Sequence, residues 1–130
     1  MPSLHLTKSR TIAGLQCLRR LWLQIHEPPD YEEPGAGSPL AMGHEIGLHA
    51  HKLFSGGVLV DEESWQHAQA VARTATLMTD AAVPAVFEAA FIHDDIRIRV
   101  DVMERTANGW RLCEVKSSTQ GLRMKSFVGA

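Results

Sequence analysis

The stretch from Val86 to Lys116, VFEAAFIHDDIRIRVDVMERTANGWRLCEVK, most constrains what this chain can fold into, because two tight-turn signals join three strand-like segments there. Asn108-Gly109 suits a two-residue type I′ hairpin, in which both central residues take positive φ. With that pair as the turn, Ala107 pairs with Trp110, Met103 lies opposite Glu114 and Asp101 opposite Lys116. Asp94-Asp95, which lacks a glycine, is the second signal; as a two-residue loop it pairs His93 with Ile96 and sets Glu88 opposite Asp101. Side chains alternate between faces and directly opposed residues share one. Glu88, Asp101, Glu114 and Lys116 are therefore expected on one face of a three-stranded antiparallel sheet.

The opposite face then collects Phe87, Ala89, Phe91, Ile98, Val100, Val102, Cys113 and Val115, with Glu104, Thr106 and Arg111 toward the second hairpin's end. That is a core face. A slip of one residue in either hairpin would drive the charged set into it, so the apolar pattern supports the register. Cross-strand neighbours sit roughly 5 Å apart, and like charges at that distance repel by about 3 kcal/mol at an effective dielectric of about 20. A divalent cation relieves this. Two or three carboxylates with waters completing an octahedron suit Mg²⁺ or Mn²⁺. Beside the metal, Lys116 is placed to orient a water or to stabilise charge on a phosphate. The alternative is an ordinary solvated strand face carrying alternating charges.

Asp101, twelve further residues and Glu114-Val115-Lys116, with Glu88 one strand earlier, resemble the signature of the PD-(D/E)XK nuclease superfamily. Leu6 to Leu23 (LTKSRTIAGLQCLRRLWL), Gly43 to Phe54 (GHEIGLHAHKLF) and the EVKSST segment look like its RecB-type branch, which includes CRISPR-associated exonucleases. The resemblance covers the chain to about Thr119 and implies an α+β, restriction-endonuclease-like core with N-terminal helices packed on the three-stranded antiparallel sheet. It implies a Mg²⁺- or Mn²⁺-dependent deoxyribonuclease, with Glu88, Asp101 and Glu114 as metal ligands and Asp101, Glu114 and Lys116 as the catalytic set. The branch carries a Gly-x-x-x-His pattern whose histidine helps hold the metal. Counted from Gly43 it lands on Gly47, which leaves His44, with Glu45, as the candidate. An iron–sulfur cluster held by four cysteines, found in the related exonucleases, is not expected from a chain with only Cys17 and Cys113. Both cysteines are expected to pack in the core.

In chain order, residues 1–25 read as N-terminal helices, 26–39 as a Pro/Gly-rich loop, 40–80 as helices, 84–116 as the catalytic sheet and 117–130 as a tail. Thr7 is expected to cap a helix from Lys8, with a break at Gly14. Lys8, Arg10, Arg19 and Arg20 gather on the polar side, either as a solvated face or as a clamp for the DNA backbone. Leu40 to Phe54 reads as a helix, and Asp61 is expected to cap another through about Asp80. A complete core adds a helix, which in this branch carries a Gln-x-x-x-Tyr motif, and a further strand. The 14 residues after Lys116 are too few for both, so the chain reads as one incomplete domain.

With 130 residues, 45% of them hydrophobic, there is material for a modest core. A net charge of −2 gives no global pull toward nucleic acid, so DNA contact must rest on local patches. No apolar run approaches membrane-spanning length and no signal peptide is evident, so cytoplasm is the default. A non-catalytic DNA- or partner-binding remnant of such a nuclease is the other functional reading. An exposed third-strand edge would leave the sheet open to a second copy or a larger complex.

Overall fold

The structure is a computed structural model that describes residues 5–30, 33 and 35–116, and the backbone of 123–128. The fold is α+β. It divides into two compact units, Met1–Glu33 with Phe91–Ile98, and Pro34–Ala90 with Arg99–Ala130.

In the first unit a two-residue strand, β1 (Leu6–Thr7), runs parallel to the start of β4 (Ile96–Thr106), pairing Leu6 with Ile96 and Thr7 with Arg97. Thr7 then caps α1 (Lys8–Gln16) as expected, its Oγ1 accepting from the Arg10 N–H at 3.3 Å. The helix breaks at Cys17, in extended backbone with φ −165°, and not at Gly14. Gly14 instead lets α2 (Leu18–His26) lie close, because a Cβ there would stand 3.0 Å from Leu21 Cδ2. Cys17 is exposed rather than packed in a core: at the break its side chain has no helix face to bury against.

The second unit holds α3 (Pro39–His51), β2 (Val58–Leu59), a 3₁₀ turn (Ser64–Gln66), α4 (His67–Thr79), β3 (Ala85–His93) as far as Ala90, β4 from Arg99, β5 (Gly109–Lys116) and β6 (Arg123–Val128). Ser38 caps α3, with Pro39 at its first position, where a missing N–H costs nothing. Asp61 does not cap α4: Glu63 caps the 3₁₀ turn that leads into it, and Glu63 and Gln66 form a reciprocal capping box, which satisfies two orphan donors. The strand order is β2-β3-β4-β5-β6, so the expected three-stranded sheet is the centre of a wider one. β2 joins β3 in parallel, Val58 opposite Val86, and β6 joins β5 antiparallel, Glu114 opposite Lys125. Six residues suffice for a strand where 14 are too few for a helix and a strand. The β5 edge expected to be open is thus paired.

Asp94 and Asp95 form the first turn, as expected, with Asp94 at positive φ. The second turn is Ala107-Asn108, and Thr106 faces Gly109. Gly109 has a φ of 146°, open essentially to glycine alone, while neither turn residue has positive φ; the glycine follows a turn of the ordinary kind instead of sitting at its centre. The register therefore moves by two residues, setting Met103 opposite Leu112 and Val102 opposite Cys113. An even shift leaves every side chain on its expected face.

Ala85, Phe87, Val102 and Cys113 form the buried cluster, with Phe54 and Val115 packed against it. A Cβ added at Gly57 would run into the Phe87 ring, 2.5 Å from Cε2, so this glycine makes room for the aromatic core. Burying a side chain such as Phe87 contributes roughly 1.5–3 kcal/mol. Met103, on the face assigned to charge, is also buried, whereas Ile98 is 38% exposed. Arg105 ties the end of α4 to β4: its guanidinium donates to the carbonyls of Val83, Met78 and Asp80 at 2.7–3.1 Å and lies over the Trp110 ring.

Candidate active site

A cavity of about 550 Å³ opens within the second unit. Helix α3 contributes Gly43, His44, Gly47, Leu48 and His51, a stripe at helical spacing. A Cβ on either glycine would meet nothing within 4 Å, so this wall is open backbone, Leu48 and two imidazoles. The segment from Leu59 to Ser64 forms a second wall, and Glu88, Arg99, Asp101 and Val115 line the sheet side.

Glu88 interrupts β3. Its φ is 55°, the left-handed region that L-residues enter at a cost of roughly 1–2 kcal/mol. The residues around it leave strict alternation, with Val86, Phe87, Ala89 and Ala90 all buried, which marks a local bulge. Two side chains close the gap. The Glu88 carbonyl accepts from Arg99 Nη1 at 3.2 Å, and the Ala90 N–H donates to Thr74 Oγ1 at 2.9 Å. Burial raises the pKa of the Glu88 carboxyl, and the neighbouring Asp101 charge raises it further, against opposing pulls from Arg99 and His44.

Asp101 sits where the β4–β5 ladder stops. One residue beyond the Val102–Cys113 pair, its Oδ2 accepts from the Val115 N–H at 2.7 Å. The carboxylate replaces a strand carbonyl there. His51 stacks on Phe87 with ring centroids 4.0 Å apart, and burial lowers its pKa, partly countered by Asp101 and reinforced by His44. Glu62 shares the cavity wall: one oxygen meets Arg73 at 3.3 Å, while Oε2 is buried with no hydrogen-bond partner among the described residues.

Of the residues expected from the sequence, the structure brings Glu88, Asp101 and His44 to one cavity. Glu114 and Lys116 do not line it; they pair with each other at 3.6 Å. Glu45 and His49 are exposed outside the lining. The basic group lies in the first unit, where Arg10 donates to the His5 carbonyl at 3.0 Å and Arg20 to Gln16, while Lys8 and Arg19 are exposed.

Further polar residues of the cavity, among them His51, Glu62 and Arg99, lie outside the set expected from the sequence. His51 carries a signal in the sequence: counted from Gly47 instead of Gly43, Gly-x-x-x-His is met at Gly47 and His51. Arg99 gives no local signal, since its partners lie 11 to 39 residues away.

Among the described residues no group of three or more His, Cys, Asp or Glu side chains is placed to hold a metal ion. The pair Glu88 and Asp101 still suits Mg²⁺, which keeps several waters and commonly takes only one or two carboxylates. Burial first and then the neighbouring Asp101 charge raise the pKa of Glu88, and that repulsion is what a cation would relieve. No protein-family model, curated protein or solved structure matches this chain.

Proposed function

We propose that this chain is a metal-dependent nuclease-like domain that acts on DNA, of the PD-(D/E)XK kind that its strand motifs resemble. The observation that carries the reading is the shared cavity of Glu88 and Asp101, two carboxylates from adjacent strands facing a helix that bears His44 and His51. In this reading Glu88 and Asp101 hold Mg²⁺ or Mn²⁺ through oxygen, and His51, kept neutral by burial, offers a nitrogen beside them. The bound ion supplies an acidified water and offsets charge on the scissile phosphate. Against the burial and the Asp101 charge that raise the Glu88 pKa, the Arg99 charge favours the ionised form that ligation requires. The motif also implies Glu114 as an acidic member and Lys116 as the ammonium for the phosphate, although both stand outside the cavity lining. Lys8, Arg10, Arg19 and Arg20 are the proposed contacts to the DNA backbone.

A second reading, binding to DNA or a protein partner without cleavage, draws support from the Glu114–Lys116 pair, which stands outside the cavity lining. An assay of single- and double-stranded DNA with Mn²⁺ separates the two. The nuclease reading expects cleavage that a chelator and Asp101→Asn both abolish. A folded chain that retains DNA without cutting it supports the second reading.

A further inference from the structure

We infer that Arg99 and Thr74 are positioning residues: together they fix the left-handed backbone of Glu88 and so aim its carboxylate into the cavity shared with Asp101. The Arg99 guanidinium takes three carbonyls from three segments, Val60 at 3.3 Å and Glu88 at 3.2 Å through Nη1 and Glu62 at 2.7 Å through Nη2. Only a planar fork of N–H donors reaches such a set from one side chain; an ammonium is a point donor on a flexible stem. Two residues on from Glu88, the Ala90 N–H donates to the hydroxyl of Thr74, which is 1% exposed and itself donates to the Ala70 carbonyl at 2.8 Å. The Glu88 C=O and the Ala90 N–H, both just C-terminal to the strained Cα, are thus held by side chains from β4 and α4, which over-determine a conformation that would otherwise relax.

Charge alone does not explain Arg99. Its hydrogen bonds go to main-chain oxygens, so what it fixes is the path of the chain. Arg99 and Asp101 are two apart on β4 and both line the cavity, so one strand supplies an acid and the clamp that orients the other acid. This is how a supporting shell holds a ligand, and losing such a partner commonly costs 10- to 100-fold in metal affinity. The aiming role rests on the nuclease reading; the conformational clamp does not.

The test uses the full chain and two readouts. The Glu88 ¹³Cα and ¹³Cβ shifts and its amide-to-Hα coupling report φ without metal, and calorimetry reports Mn²⁺ affinity. Arg99→Lys is expected to lose the left-handed signature while still melting cooperatively, and to bind Mn²⁺ about tenfold more weakly. Retention of the signature in Arg99→Lys overturns the clamp, and unchanged Mn²⁺ affinity after its loss overturns the aiming. Should Arg99→Lys fail to fold, Thr74→Val and Thr74→Ser decide. Loss in Val with retention in Ser supports the clamp, and the signature surviving in both overturns it. A wild-type chain with the signature but no Mn²⁺ binding refutes the metal reading and leaves the clamp standing.

Discussion

Replacing Glu88 by glycine should stabilise the protein relative to replacing it by alanine, the reverse of the order inside an ordinary strand. Both substitutions remove the half-buried carboxylate and its repulsion from Asp101, so their difference isolates the backbone. At a φ of 55° alanine keeps the clash of Cβ with the carbonyl, roughly 1–2 kcal/mol, and glycine does not. Glycine loses more chain entropy on folding, about 0.4–1 kcal/mol. The net is about 0.5–1 kcal/mol in favour of glycine, whereas in regular strand glycine is worse than alanine by roughly that amount. For a 130-residue chain, 1 kcal/mol corresponds to about 4 °C in Tm. Urea and thermal melts of the two variants, made with chelator present, measure the difference. If glycine melts several degrees below alanine, β3 runs as regular strand at this residue and the bulge argument fails.

Other substitutions probe the core and the charges around it. Gly57→Ala should cost about 1–3 kcal/mol in urea unfolding, since its Cβ collides with the Phe87 ring that His51 stacks on. His51 has a lowered pKa in the folded state, so the unfolded chain binds more protons once pH falls below about 6.5. Stability should therefore drop on acidification from that pH, and His51→Gln should flatten this part of the pH profile. Glu88 has the opposite linkage: its raised pKa means that the folded state binds more protons above the ordinary carboxyl range, so stability is lost as pH rises there. Glu88→Gln should accordingly raise the Tm of the metal-free chain at neutral pH, and an unchanged or lower Tm would contradict the assigned burial and repulsion.

Local signals carried much of the architecture. Thr7 at a helix start, Asp94-Asp95 between strands and the apolar set around Phe87, Val102 and Cys113 each act through neighbours in sequence or a single ladder, and each lies where its chemistry suggests. The Asn108-Gly109 signal was misleading by two residues because glycine serves equally well just after a turn, yet an even slip preserved the faces. Strict alternation failed at Glu88, where long-range bonds from Arg99 and Thr74 outweigh the pleat. No pattern in the strand itself announces that. Glu114 and Lys116 share a face with Asp101 by period-two counting, yet only Asp101 lines the cavity: the ladder ends at Val102–Cys113, where the Asp101 carboxylate takes the Val115 N–H. Histidine spacing on α3 was legible, but only from the second of its two glycines.

The central claim is that Glu88 and Asp101 form one cation site, and calorimetric titration of Mn²⁺ into the wild-type chain, Glu88→Gln and Asp101→Asn tests it most directly. The account predicts binding by the wild type and a loss of tenfold or more in each variant. A cooperatively folded wild type that takes up no Mn²⁺, or binding that survives both substitutions, would contradict it.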